Sequence, residues 1–297
     1  MSKKTIMRIT MSDIEKKVEA VVRARRAAAN TLLSAHQMFS SESFSEKQLA
    51  DAWMEKIKEN SIIRSCGWYS PPPHGMSVLI GNPPQYSRLR YNSLREAENW
   101  PSSQIHYSNT SILYPYYSAV DRETLLIGDF VGTFYRGQDP AIRDWIKTAY
   151  KLTLKIAEYV QPGRRVSDIY NFAQDRFRSL DASNNTYSQS GGSASDIGHS
   201  IPGIGQDSGN WDWVSADLTD KEVASRLADA RWFISKENNR VLGSDFGLTI
   251  EPQLIVPEFP MASFHVIVLV ASGKKKIVTE FDSLFEYFGM SELMQSE

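Results

Sequence analysis

Three apolar segments of this sequence, each with the composition of a buried strand, contain one residue that buried strands rarely hold. The residues and their segments are Asp129 in 125–131, Glu251 in 248–256 and His265 in 264–269. A charged group inside a buried strand is costly unless it is paired or binds a metal ion. Any one of them alone is compatible with a strand end that faces solvent. A fourth polar residue, His199, lies in a Gly-His-Ser segment, and the four residues together favour strands that converge on one site.

Charge, cysteine content and the length of apolar runs indicate the cellular compartment and the partners that this chain is suited to. The chain has 297 residues, 33 basic and 35 acidic, and a net charge of −2, and neither sign is concentrated in a way that points to nucleic acid or an anionic membrane. Its one cysteine, Cys66, excludes an intrachain disulfide and fits a reducing compartment. No apolar run is long enough for a signal peptide or a membrane span. We expect a cytoplasmic protein without nucleic-acid or membrane partners.

Helical and strand-like patterns alternate along the chain and repeat once. Apolar residues recur at helical spacing over 12–60 and again over 140–180, and each stretch contains a break between two helices. Strand-like runs follow each helical pair, and the last of them cover 246–256, 263–271 and 275–279. We therefore expect an α+β fold with two similar halves, each running helix, break, helix and strands.

Five short motifs occur in an order typical of one superfamily. They are Leu126–Phe130 followed by Asp139 and Arg143, Val160–Gly163 with Val166–Ile169, Ile197–Ile201, Leu248–Pro252 and Ser263–Val270. Their order and separation resemble the pita-bread metallopeptidases: methionine aminopeptidase, proline-specific aminopeptidase, prolidase and their relative creatinase. The resemblance runs from about Arg23 to about Thr279. It implies a single pita-bread domain over 1–297, in which two pseudo-symmetric halves have curved antiparallel sheets and outer helices, with residues 1–11 as a flexible N-terminal extension.

The resemblance also implies a site and its chemistry. The implied metal ligands are Asp129, Asp139, His199, Glu251 and His265, with Glu251 and His199 also catalytic, and the expected substrate contacts are Gln206, His74 and Tyr135. Two neighbouring ions activate a water molecule and polarise a carbonyl group. Carboxylates and imidazoles without a thiolate suit Mn, Fe, Co or Zn. The implied substrate is a small molecule or short peptide-like compound, and a homodimer is compatible with the family.

Three positions depart from the superfamily pattern. Asp129 and Asp139 are ten residues apart, one fewer than the usual spacing. His265 replaces a glutamate that normally bridges two ions, and an imidazole cannot bridge them in that way, so one or two ions are compatible with this chain. Gln206 replaces a second histidine and cannot transfer a proton. These departures argue against routine peptide hydrolysis.

Three kinds of function stay open at this point. The first is a metal-dependent enzyme that hydrolyses a small amide, an amino-acid-like compound or a specialised metabolite. Because two histidines with carboxylates also suit iron(II), such an enzyme is also compatible with oxygen chemistry. The second is a metal-free, creatinase-like C–N hydrolase in which His199, Glu251 and His265 do the acid–base work. The third is a catalytically dead domain that binds a ligand or a partner.

Overall fold

The computed structural model describes most of the chain between Asp13 and Met294. The described ranges are 13–39, 43–84, 86–91, 93–184, 196–205 and 218–294. The expected N-terminal extension, residues 1–11, lies outside them. No helix in the described ranges combines the length and the apolar character that crossing a bilayer requires.

The first half of the fold is a helical pair followed by an antiparallel sheet. The elements are helices α1 (Asp13–Gln37) and α2 (Glu46–Glu59) and strands β1 (Met76–Gly81), β2 (Ile112–Tyr117), β3 (Phe130–Val131) and β4 (Phe134–Tyr135). Ser45 and Gln48 form a capping box that starts α2. The sheet order is β1-β2-β3, and β4 pairs with the other end of β2.

The second half repeats this plan with a larger set of strands. Its helices are α3 (Pro140–Tyr159), α4 (Val166–Arg178), α5 (Asp220–Ala230) and α6 (Asp282–Phe288). Its strands are β5 (Ser183–Asn184), β6 (Ser200–Gly205), β7 (Phe246–Ile250), β8 (Gln253–Ile255), β9 (Ala262–Ser263), β10 (Val266–Ala271) and β11 (Lys274–Val278). They form one sheet of order β11-β10-β7-β6 and one of order β5-β8-β9, and every pair is antiparallel.

Helix α1 lies between the two halves because its buried face is built from small residues. It contacts β3 of the first half and both β6 and β10 of the second. Ala20, Ala24 and Ala28 are fully buried, and a Cβ atom at Gly128 would lie only 2.7 Å from Cβ of Ala24. The absence of larger side chains therefore lets the backbone before β3 run directly against the helix.

The structure corrects the predicted strands at the polar residues that interrupt them. The predicted strand 246–256 is two strands, β7 and β8, separated at Glu251 and Pro252, and 263–271 is β9 and β10, separated at His265. Only the last two residues of 125–131 form a strand. At these breaks the backbone bonds to another segment: the N–H of Glu251 donates to Ile197 O at 2.7 Å, and that of His265 donates to Val131 O at 3.1 Å.

Candidate metal centre

Four polar residues occupy the ends of four strands and meet in the interior. Asp129 directly precedes β3, His199 precedes β6, Glu251 follows β7 and His265 lies between β9 and β10. Asp129, His199 and His265 are 1%, 2% and 4% exposed, and Glu251 is mostly buried. Each of them therefore lies at or next to a strand end, and the four side chains share one buried space.

A close approach of two backbones fixes the position of His199. Its N–H donates to Thr249 Oγ1 at 3.1 Å, and its carbonyl accepts the N–H of Thr249 at 2.8 Å. The preceding Gly198 has φ +142°, and a Cβ atom there would lie 2.0 Å from the carbonyl oxygen of Thr249. Only glycine allows this contact, so the Gly-His sequence has a structural cause.

The functional atoms of the four side chains lie within a few ångströms of one another. His199 Nε2 is 3.2 Å from Asp129 Oδ2 and 3.3 Å from Glu251 Oε1, and His265 Nδ1 is 3.3 Å from the same Glu251 oxygen. One ligand atom each from Asp129, Glu251 and His265 all lie within 4.8 Å of one another. Among the described residues this is the group of carboxylates and imidazoles that has the spacing of a metal site.

Two buried atoms of this cluster lack hydrogen-bond partners among the described residues. They are Glu251 Oε1 and His265 Nδ1, which face each other without the geometry of a hydrogen bond. Leaving a buried polar atom unsatisfied costs about 1–3 kcal/mol. A cation between these atoms would satisfy both, so the residues present fit a bound metal ion.

The two imidazoles of the cluster have different electrostatic surroundings. His199 Nδ1 donates to the carbonyl of Ser200 at 2.8 Å, which turns Nε2 towards the two carboxylates. Burial alone would lower the pKa of His199, but the charge of Glu251 and the hydrogen bond with Asp129 outweigh it and raise that pKa to about 9. Burial lowers the pKa of His265 against the opposing charges of Glu251 and Asp129.

The two acidic groups near these rings also differ. Burial acts to raise the pKa of Glu251, but the charges of His265 and His199 prevail and hold that pKa well below the usual range. Burial, reinforced by the charge of Glu251, raises the pKa of Asp196 to about 7, and its Oδ2 has no hydrogen-bond partner among the described residues. Glu251 is therefore held ionised, whereas Asp196 exchanges its proton near neutral pH.

Aromatic rings form the wall of the cluster on the side of the first half. The indole N–H of Trp68 donates to Asp129 Oδ1 at 2.7 Å, and its ring meets the His199 ring edge-on at 5.2 Å. Tyr116, a residue of β2, meets the His265 ring edge-on at 6.2 Å. Trp68 therefore hydrogen-bonds to one carboxylate oxygen of Asp129, while the other oxygen faces His199.

A cavity of about 570 Å³ lies on the other side of Trp68. Its lining includes Trp68, His74, Arg95 and Arg231. The guanidinium of Arg231 lies 3.9 Å from the Trp68 ring centre, its Nε is buried without a hydrogen-bond partner, and no ion pair engages it within the described ranges. His74 is exposed here, with Nδ1 3.3 Å from Cys66 Sγ. The cavity thus offers an unpaired positive charge one indole ring away from Asp129.

The remaining sequence-predicted residues lie elsewhere. Asp139, expected as a ligand, is instead the exposed N-cap of α3, where its Oδ1 accepts the N–H groups of Ala141 and Ile142, because Pro140 starts the helix directly after it. Tyr135 is buried in β4, and no hydrogen bond or ring contact joins it to the cluster among the described residues. Gln206 falls outside the described residues.

Sequence reasoning missed three residues that shape this region. Trp68 belongs to an irregular segment rich in Pro, Gly and Tyr, where periodicity carries no information, and Arg231 follows the end of α5 without any distinguishing pattern. Asp196 had a weak signal, since it lies three residues before His199 and directly before an isoleucine. An unpaired cation or a raised pKa is a property of the surroundings and becomes visible only in three dimensions.

Comparison with known proteins supports the fold through structure alone. No family model and no curated protein matches the sequence. The structure resembles the X-Pro aminopeptidase of Thermotoga maritima MSB8 (TM-score 0.60, 12% identity, 92% of this chain and 63% of that one) and the Xaa-Pro dipeptidase of Bacillus anthracis (TM-score 0.59, 11% identity, 92% and 62%). It also resembles the methionine aminopeptidase of Thermotoga maritima (TM-score 0.58, 14% identity, 92% and 98%). This chain spans less than two thirds of the length of the first two proteins and nearly all of the third. The structural similarity to all three confirms the expected pita-bread fold.

Proposed function

We propose that this pita-bread chain is a metal-dependent hydrolase that cleaves an amide bond in a small, amino-acid-like substrate. The observation that carries the proposal is the meeting of Asp129, His199, Glu251 and His265 around two unsatisfied buried ligand atoms. Two nitrogens and two carboxylates suit Mn, Fe, Co or Zn. Such an ion, when bound, polarises a carbonyl group and lowers the pKa of a water molecule.

Three features support one ion instead of two. The indole of Trp68 already occupies Asp129 Oδ1. The carboxylate of Asp139 caps α3 and is exposed. His265 presents one ring nitrogen to the cluster, and an imidazole nitrogen has one lone pair to donate. Among the described residues, these three positions therefore do not offer the free carboxylate oxygens that would hold a second ion beside the first.

Two carboxyl groups around the ion have different roles in this proposal. Glu251 is ionised at neutral pH, because its pKa is held low, and we assign it as a ligand that supplies negative charge to the ion. Asp196 is the candidate for proton transfer, since burial raises its pKa to about 7 and half of the population carries a proton near that pH. A pKa close to the working pH suits a group that both accepts and donates a proton.

Arg231 supports a substrate that carries a carboxylate. A guanidinium stacked on an indole keeps its edge free for two parallel hydrogen bonds to a planar anion. Arg231 and Trp68 both line the cavity, and Trp68 also contacts Asp129, so a carboxylate bound to Arg231 would lie close to the cluster. The carboxylate of Asp220, which also lines the cavity, is paired with Arg64. A cytoplasmic location and a homodimer stay predictions from the sequence.

The experiment begins with protein purified without chelator, whose metal content is measured by mass spectrometry. Hydrolysis is then assayed on pairs of dipeptides and N-acyl amino acids that differ only in a free or an amidated carboxyl group. We expect bound metal, turnover of the free-carboxyl substrates and loss of both in Glu251→Gln. The matched control is Glu258→Gln, a change at an exposed glutamate seven residues along the chain.

The other outcomes separate the competing functions. Turnover by protein that contains no metal would contradict the proposal and favour a creatinase-like hydrolase. Iron as the bound metal, with oxygen consumption and no hydrolysis, would favour oxygen chemistry. Metal-free protein that turns over none of the substrates would favour a binding domain. Arg231→Met should raise KM for the free-carboxyl substrates at least tenfold and leave KM for the amidated ones unchanged.

A further inference from the structure

Arg25 is a fully buried arginine on the face of α1 that packs between the two halves. It is 0% exposed. Its Nε donates to the carbonyl of Thr279 at 2.8 Å, its Nη1 donates to the carbonyl of Asp129, and its Nη2 donates to the carbonyl of His265. One side chain therefore binds three backbone segments, and two of them carry the residues of the candidate metal centre.

The burial of this charge is not explained by an ion pair. Within the described part of the chain no carboxylate contacts the Arg25 guanidinium, which lies near the rings of Phe130 and Phe281, at 5.5 and 5.0 Å from their centres. Burial lowers the pKa of Arg25 only to about 10, so the group is charged at neutral pH. Burying an ion costs several kcal/mol, and well-packed apolar residues often replace such ions without loss of stability.

Neighbouring arginines on the same helix show what a merely structural role looks like. Arg26 pairs with Glu280 at 2.8 Å and is exposed. Arg23 pairs with Asp121 at 2.6 Å and with Glu123 at 2.5 Å. Both bind carboxylates with guanidinium groups that are partly exposed, whereas Arg25 alone among these three is fully buried and reaches the backbone behind the cluster.

The carbonyls that Arg25 binds belong to different sheets. Asp129 leads into β3 of the first half, and His265 leads into β10 of the second. A planar guanidinium has donors in fixed directions and can hold two carbonyls at a set separation, whereas the single nitrogen of a lysine cannot reproduce that spacing. The two backbones also contact each other directly, since the N–H of His265 donates to Val131 O at 3.1 Å. The fork adds a second, side-chain constraint on how far apart the carbonyls of Asp129 and His265 lie, and with them the two side chains.

We propose that Arg25 is a positioning residue that sets the separation of Asp129 and His265 across the two halves and thereby the geometry of the metal centre. The ion itself rests on the proposed function, but the spacing of the two side chains is a property of the protein with or without it. The test therefore uses one measurement without metal and one with metal.

The perturbation is Arg25→Lys, which keeps the charge and most of the volume but removes the fork, and the matched control is Arg26→Lys. The first measurement is the NMR ring resonances of the histidines in metal-free protein. The chain has five histidines, so His36, His74 and His106 serve as internal references. We expect the His199 and His265 rings to shift in Arg25→Lys only, while the three references keep their positions.

The second measurement is a titration with Co²⁺. Calorimetry gives the affinity, and the visible absorption spectrum reports the coordination of the cobalt ion. Groups that support metal ligands from behind typically contribute 10–100-fold to affinity. We expect a loss of that size and an altered spectrum in Arg25→Lys, and wild-type behaviour in Arg26→Lys.

Each other outcome bears on one claim. Unchanged His199 and His265 resonances in Arg25→Lys would overturn the positioning role. A general shift of all five rings, or loss of folding, would overturn it as well, because it would show that Arg25 supports the fold as a whole. If the expected ring shifts occur but wild-type protein does not bind Co²⁺, the positioning role stands and the proposed metal-dependent function fails.

Discussion

Proton release on metal binding follows from the surroundings of His199. In the metal-free protein, burial opposes protonation of this ring, but the charge of Glu251 and the hydrogen bond to Asp129 raise its pKa to about 9. At pH 7 the ring is therefore almost fully protonated. A metal ion can bind Nε2 only after that proton leaves, so the ion and the proton compete for one nitrogen.

The size of the effect can be derived from this pKa. Between pH 6 and about 9, affinity should rise tenfold for each pH unit, since one proton is released for each ion bound. At pH 7, two units below the pKa, the competition weakens binding by about 100-fold, or roughly 2.7 kcal/mol. Glu251 adds nothing to the slope in this range, because its pKa is held well below its usual value and it is already ionised.

The assay is calorimetric titration with Mn²⁺ in buffers of different ionisation enthalpy, which gives the number of protons released. We expect one proton at pH 7, fewer as the pH passes 9, and a flat profile in His199→Gln. Binding with no proton release at pH 7 would refute the assignment of His199 as a ligand, and release of two protons would show that a second protonated group binds the ion.

Three further predictions concern residues with distinct roles. Burial, aided by the charge of Arg136, lowers the pKa of His36 to about 4. As the pH falls, the unfolded chain therefore binds a proton at this residue before the folded chain does, and the unfolding free energy should drop between pH 6.5 and 4 by about 1.4 kcal/mol per pH unit. Acid unfolding curves should show this drop, and a smaller one in His36→Phe. Asp139→Ala should lower the unfolding free energy by about 1 kcal/mol through loss of the α3 cap while metal content stays unchanged; a loss of metal would restore Asp139 as a ligand. His265→Glu should change the identity or stoichiometry of bound metal and abolish the native activity; survival of both would make His265 structural.

The fold was predictable because its signals are local and repeated. Alanines at helical spacing in α1 and the apolar run of β10 are visible in sequence order, and the motifs around them supplied the topology. Strand β2 and helix α6 escaped prediction. Strand β2 contains Pro115, a residue that normally argues against a strand interior. Helix α6, which comes after the last predicted strand, is only seven residues long, too short for a clear helical period.

The candidate site was predictable where a residue type conflicts with its surroundings. Asp129, Glu251 and His265 each interrupt an apolar run, and the structure places all three together. Arg25 had the same signal, since it lies one helical turn after Val21 on the buried face of α1, but the alanine pattern around it concealed the conflict. Asp139 was misassigned because a carboxylate before Pro140 is compatible with both a ligand and a helix cap, and only the path of the backbone distinguishes them.

The pairings that define the chemistry required three dimensions. Trp68 and Asp129 are 61 residues apart, and the contact between them depends on how the irregular segment folds against the sheet. The contact between Arg231 and the Trp68 ring joins residues 163 positions apart, which no sequence pattern reports.

The central claim is tested most directly by anomalous scattering from a crystal of the protein soaked in Mn²⁺. The account predicts one anomalous peak per chain, in contact with carboxylate oxygens of Asp129 and Glu251 and with ring nitrogens of His199 and His265. Two adjacent peaks would contradict the single-ion centre, a peak bound by Asp139 would contradict its role as a helix cap, and the absence of any peak between the four side chains would contradict the metal-dependent function itself.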